Sequence, residues 1–174
     1  MKIGAARIDI TPPLGVELSG YGYFLNRRAE QVLDRLYTRA VYFETELGKA
    51  VIIGNDLVGV APELVSKARA LCSQHLGIPA EGVMIAATHT HSGPVSARLY
   101  GCGMPDQLYY ESLPYHWLEA AQTAASRAWT GALALNCGPY DTFGTNRNDP
   151  GGPVDNEIRV ARLDVDGRPC AVLV

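Results

Sequence analysis

The chain is expected to fold as an α/β protein with a mixed sheet, a strand-helix-strand unit and flanking helices, and three observations predict this class. First, "AVIIGN" and "EGVMIAAT" are short apolar runs on either side of a segment with helical spacing. Residues 50–88 therefore read as two parallel strands joined by a crossover helix. Second, "IGAARIDI" and "EIRVARLDV" alternate apolar and polar residues, the period of half-buried strands. Third, 174 residues with 47% hydrophobic and 19% charged content describe an ordinary globular chain, long enough to bury a core.

Each element follows from local signals. The strand over residues 3–10 is stopped by "TPP". The following "LGVELSGYGYFLNRR" has glycines and tyrosines without clear periodicity, as in an ordered surface loop, a kind of segment that often carries function. Residues 37–46 and 50–55 read as strands joined by the short "LGK" turn. Pro62 suits the first turn of a helix over residues 62–76, and Gly77 suits its C-terminal cap. Leu64, Ala68, Leu71 and Cys72 give that helix an apolar face.

"DQLYYESLPYHWLEAAQTAASRAW" is helical in pattern, with a break expected at Pro114 and an alanine-rich half ending at Gly131. "ALALNCG" reads as a short strand and "PYDTFGTNRNDPGGPVD" as a long loop. "EIRVARLDV" is another strand, and Asp166–Gly167 makes the hairpin turn into "PCAVLV". No repeat or low-complexity linker divides the chain, so residues 1–174 read as a single domain. Its apolar end predicts that the domain continues past Val174. An incomplete sheet edge there would invite self-association.

The net charge of −3 and the lack of a basic run argue against a partner held through phosphates, so no nucleic acid is expected. "MKIGAARIDI" lacks the long apolar core of a signal peptide, and no run of about 18 apolar residues could form a transmembrane helix. Cys72, Cys102, Cys137 and Cys170 form no CxxC pair. Free thiols in a reducing compartment are expected, with the cytoplasm as the default location.

"IAATHTHSGP" places two of the four histidines two apart at the end of an apolar run. In a strand such residues share a face, so His89 and His91 would converge on one point. Asp56 lies at the equivalent end of the preceding parallel strand, and ligand sites in open α/β sheets gather at the carboxyl ends of strands. Imidazole and carboxylate suit zinc, and a catalytic zinc site takes three protein ligands plus an open position. Asp56 would be either a ligand or an outer partner that fixes a histidine tautomer. The plain alternative is a pair of strand-end histidines satisfied by backbone groups.

Other candidates read as structural. His75 suits a helix C-terminus, His116 suits packing or surface, and Ser92 suits a turn rather than a G-x-S-x-G elbow. Cys102 has no sequence neighbour that would activate a thiol. "GVELSGYG" and "DPGGP" lack the lysine and the strand-to-helix context of phosphate loops.

"IGAARIDITPPLGVELSGYG", "ATHTHSGP" and "NRNDPGGPVDNEIRVARLD" occur in this order and spacing in neutral ceramidases. The chain resembles the amino-terminal part of their catalytic domain along nearly all of its length. The resemblance implies zinc-dependent hydrolysis of the ceramide amide to sphingosine and a fatty acid, the substrate being a small-molecule amide of lipid type. It implies that His89, first in "HTH", binds zinc, and that His91 and Arg147, the arginine of "NR", contact the substrate and its tetrahedral intermediate. The family's further ligands, a histidine, a glutamate and a tyrosine, lie downstream of the matched residues, so this chain alone is expected to be inactive. Family members are often secreted, whereas no export signal is read here. Two alternatives stay open: a truncated, non-catalytic binding or structural domain, and a metallohydrolase of non-lipid amides or esters.

Overall fold

A computed structural model of the chain describes residues 1–23, 25–142 and 144–174; Phe24, in the segment read from the sequence as an ordered surface loop, and Phe143, in the segment read as a long loop, lie outside the described residues. One mixed sheet holds β1 (Lys2–Asp9), β2 (Tyr37–Thr45), β3 (Gly48–Asn55), β4 (Val83–Ala87), β5 (Trp129–Pro139), β6 (Glu157–Val165) and β7 (Arg168–Leu173). Their spatial order is β4-β3-β2-β1-β5-β6-β7. Neighbours are antiparallel except β3 and β4, which run parallel in register from Val51↔Val83 to Asn55↔Ala87. Parallel neighbours need a crossover, and α1 (Pro62–Leu76) supplies it. Pro62 opens α1, and Gly77 closes it at φ 64°, its N–H donating to the Ser73 carbonyl. The α/β mixed sheet expected from the sequence is what forms.

Strand alternation decides which face the helices cover. Ala6, Ile10, Ala40, Tyr42, Val51, Ile53 and Val83 are buried in one cluster with Leu64, Ala68 and Cys72 of α1. The same cluster takes in Leu113, Trp117 and Ala121 of α2 (Gln107–Ser126). Burial pushes the Cys72 thiol up to about 11, so it is a packed, unreactive cysteine. On the other face Ile3, Val41 and Leu163 form a smaller cluster that ties β6 to β1 and β2. Among the described residues no helix is long and apolar enough to cross a membrane.

Two helix boundaries differ from expectation. The break at Pro114 does not occur, and α2 runs through it. Proline removes one N–H and crowds the preceding turn at a cost of about 3 kcal/mol. Leu113, Pro114, Trp117, Leu118, Ala120, Ala121 and Ala124 are all buried, and this packing outweighs the local cost. Secondly, α2 stops at Ser126 rather than at Gly131, and β5 begins at Trp129 rather than Ala132. Trp129 and Thr130 pair with Ile3 and Lys2, and Gly131 pairs with Val165, so the sheet claims these residues from the helix.

At Gly4 the helix lies directly on β1, where a Cβ would collide with the Ala124 carbonyl oxygen. Gly4→Ala is expected to cost about 1–3 kcal/mol through overpacking, read as a lower urea midpoint at constant m value. An unchanged midpoint would show that α2 can move off the strand freely.

Asp9, at the end of β1, accepts hydrogen bonds from Thr11 and from Arg35, and these hold its carboxyl at about 2 against an ordinary 3.8. A carboxyl depressed by folding contributes stability above pH 3.8 and loses that contribution as the pH falls through about 2. Melting temperatures across that window should therefore fall less steeply for Asp9→Asn than for the unaltered protein. Parallel curves would mean that the pairing persists in the unfolded chain.

Candidate active site

The segments that leave the ends of β3 and β4 build the site. The Thr88 N–H donates to the Asn55 carbonyl (2.9 Å), extending the parallel ladder by one residue. The buried Asn55 side chain donates to the Ala86 carbonyl (2.9 Å) and locks the two strand ends together. At the next residue the chain turns away: His89 has φ 63°, a left-handed conformation uncommon for any residue but glycine. Strand alternation, expected to aim both histidines, is therefore not what brings them together. β4 ends at Ala87, and the turn beyond it sets the two rings 4.8 Å apart between centroids, edge to face.

His89 Nδ1 lies 2.6 Å from the Val58 carbonyl oxygen. A carbonyl can only accept, so Nδ1 carries the proton, and in the neutral ring Nε2 keeps its lone pair. Val58 belongs to the buried segment that follows β3. Next to it the buried Ser96 hydroxyl donates to the Gly59 carbonyl (2.8 Å), so residues 89 and 96 grip consecutive carbonyls. Sequence reasoning missed both contacts. A backbone acceptor leaves no side-chain signature, and Ser96 stands in no motif.

His91 is half-buried and framed by the loop over residues 11–36. Tyr21 stands edge-on to its ring at 5.5 Å, and the Arg27 guanidinium lies 4.6 Å over the Tyr21 ring. Arg27 Nη2 donates to the carbonyls of Ser19 (2.6 Å) and His91 (3.1 Å). Gly20, at φ 108°, passes so close that a Cβ there would sit 2.5 Å from the His91 Cβ. The glycine- and tyrosine-rich composition marked this loop in the sequence, although not which of its residues touch the histidine.

Asp56 is turned elsewhere. Its oxygens accept from Arg39 Nη1 (2.9 and 2.8 Å) and from the Tyr37 amide (3.0 Å), while its own N–H donates to the Tyr37 carbonyl (2.9 Å). It thereby pins the ends of β2 and β3, and the acceptor on His89 is Val58 instead. The reason is alternation: Asn55 points to the helix side, and the next residue falls on the side of Arg39.

Arg147 is exposed in the loop between β5 and β6. It follows Asn146, whose Oδ1 accepts the N–H groups of Asn148 (3.1 Å) and Asp149 (3.0 Å) in a side-chain-closed turn. No hydrogen bond, ion pair or ring contact joins it to either histidine among the described residues. Nor, among those residues, does any group of three or more His, Cys, Asp or Glu side chains come close enough to hold a metal ion. The remaining candidates are peripheral. His75 is exposed at the end of α1, His116 faces Glu119 (3.8 Å), and Ser92 sits in a turn with its N–H on the Thr90 hydroxyl (3.3 Å).

This backbone matches solved structures. A neutral ceramidase from Pseudomonas aeruginosa superposes with a TM-score of 0.84 at 22% identity, and a ceramidase complexed with C2 does so with a TM-score of 0.82 at 21% identity. The chain has a neutral ceramidase fold. In both cases the match takes in 98% of this chain and 30% of the other, so the chain spans less than a third of the length of those proteins. No protein-family model matches the chain, and no curated protein sequence matches it significantly. Within the ceramidase fold, this chain contributes an imidazole with a committed Nδ1, a second imidazole packed against it, and the loop that frames the second.

The contact at Gly20 makes a local prediction. Gly20→Ala should push the loop off His91 and expose the hydrogen bond from the Ser19 N–H to the Gly93 carbonyl (3.0 Å). Hydrogen exchange at Ser19 is expected to quicken while β1 and β2 amides keep their protection. Unaltered exchange at Ser19 would show that the loop absorbs the methyl group.

Proposed function

We propose that this chain forms part of a zinc-dependent hydrolase of the neutral ceramidase type, cleaving the amide of an N-acylsphingosine-like lipid. The observation that carries the reading is the commitment of His89 Nδ1 to the Val58 carbonyl, which leaves Nε2 as a pre-oriented ligand atom beside the His91 ring. The fold likeness supports it, as do the "THTHSGP" and "NRNDPGGPVDNE" segments.

His89 fits the metal by this donor chemistry, and it is the residue that would hold zinc. One ligand is not a shell, and the chain spans 30% of the ceramidases it resembles. The remaining donors are proposed to come from outside these residues. When bound, zinc supplies Lewis-acid polarisation of the amide carbonyl and activation of water near neutral pH. His91, packed against the His89 ring, is assigned the role of donating to the oxygen on which negative charge develops as the amide carbon becomes tetrahedral. Arg147, exposed and unpaired among the described residues, is assigned a second contact to that oxygen. Such donors accelerate the reaction because they bind the charged transition state more strongly than the neutral amide.

The test is zinc per chain by elemental analysis together with fatty-acid release from a short-chain ceramide. His89→Ala should abolish zinc retention. His91→Ala and Arg147→Ala should keep the metal and lower turnover by roughly 10²–10³-fold in a protein that carries the complete ligand set. The 174-residue chain alone should turn over little. Zinc bound equally by the unaltered protein and His89→Ala when both carry the complete ligand set, or robust turnover by this chain alone, would overturn the assignment. A protein with the complete ligand set that is zinc-free and inactive in every form would favour the non-catalytic binding domain instead.

A further inference from the structure

The framing loop carries two consecutive arginines with different partners. Arg28 serves the loop itself: Nη1 donates to the Gly15 carbonyl (2.8 Å) and Nη2 to the Glu17 carboxylate (3.2 Å). Arg27 reaches out of the loop instead. Its Nη2 bridges the Ser19 carbonyl and the His91 carbonyl, and its flat face stacks on Tyr21, whose edge meets the His91 ring. Both routes from Arg27 end on the same histidine, one at its main chain and one at its imidazole.

We propose that Arg27 is a positioning residue for His91, fixing its backbone through the carbonyl and its ring through Tyr21. The proposal rests on the reading of His91 as a substrate-contacting residue. A guanidinium suits this task and an ammonium does not. Two hydrogens on one planar nitrogen reach two carbonyls from different segments while the same plane lies on an aromatic face. The arrangement also carries a cost that a mere loop fastener would avoid: Arg27 Nε is buried with no acceptor among the described residues. Buried unpaired donors are rare in folded proteins, and they concentrate where geometry serves function rather than stability. Gly20 completes the device, because its missing side chain lets the loop press against the His91 Cβ and narrows the ring's rotation.

Arg27→Met, Arg27→Lys, Tyr21→Leu and Arg28→Met separate positioning from fastening. In imidazole-detected NMR of the purified protein, the His91 resonances are expected to shift in Arg27→Met and in Tyr21→Leu. They should stay in place in Arg28→Met, even where its melting temperature falls as far. Arg27→Lys keeps hydrogen-bond donors without the stack and should give an intermediate shift, which also covers the case in which Arg27→Met fails to fold. In a protein that carries the complete ligand set, Arg27→Met should lower kcat on a short-chain ceramide by about tenfold or more with little change in KM, and added ethylguanidinium should restore part of it. His91 resonances unmoved in both Arg27 variants, or moved equally in Arg28→Met, would overturn the proposal. Absence of ceramide turnover in a protein that carries the complete ligand set would count against the proposed reaction, while the NMR comparison on this chain would still decide the role of Arg27.

Discussion

The hydrogen bond from His89 Nδ1 to the Val58 carbonyl is the contact on which the site depends, and the sheet exists in the register that makes it. Parallel pairing fixes Asn55 opposite Ala87, so Val58 lies three residues past one strand end and His89 two past the other. A one-residue slip of β4 would turn its side chains to the opposite face and carry the imidazole away from this carbonyl. The slip is prevented by Val83, Ile85 and Ala87 packing into the helix-side cluster and by the Asn55 side chain on the Ala86 carbonyl. The left-handed backbone at His89 costs about 1–2 kcal/mol. A net hydrogen bond contributes about 0.5–1.5 kcal/mol, so the two are of similar size. The turn therefore persists because the surrounding ladder and the buried Leu57–Val58 segment hold both partners in place.

The loop over residues 11–36 depends on that turn in its own way. Among its described residues it has almost no regular structure, and short bridges join Glu17 to Arg28 and Leu18 to Pro94. Glu17 adds a carboxylate that takes both the Arg28 guanidinium and the Met104 N–H (2.9 Å), fastening the loop to the segment before α2. Leu18 can pair with Pro94, and Ser19 with Gly93, only because the chain beyond His89 runs back past the sheet end. The two histidines are thus held from opposite sides, one by the segment after β3 and the other by the loop after β1.

Much of this was legible in the sequence, for reasons that can be named. α1 spans the residues expected because proline, apolar spacing and a terminal glycine are all local signals. The parallel β3–β4 pair follows from that helix by connectivity alone. The proximity of His89 and His91 was legible too, although the cause was a turn and not strand alternation. What escaped was decided by distant partners. The continuity of α2 through Pro114 comes from packing against β1 and β2, and the start of β5 comes from pairing with Ile3 and Lys2. Asp56 sits at the strand end where the sequence places it, and which face it occupies depends on the registration of Arg39 and Tyr37 beside it.

The nature of these contacts also bears on how local geometry follows the backbone while sequence diverges. At 22% identity most side chains differ between this chain and the Pseudomonas ceramidase, whereas a TM-score of 0.84 means that the backbone course is shared. A device whose acceptor is a main-chain carbonyl travels with the backbone, whatever side chain that residue bears. The Val58 carbonyl that orients His89 is of this kind, as are the Ser19 and His91 carbonyls that receive Arg27. Devices built from side chains, such as the Tyr21 edge on His91 and the Arg27 stack on Tyr21, need those residues themselves. The fold therefore supplies the acceptors and the approach. The side chains at positions 21, 27, 89 and 91 complete the contacts around it.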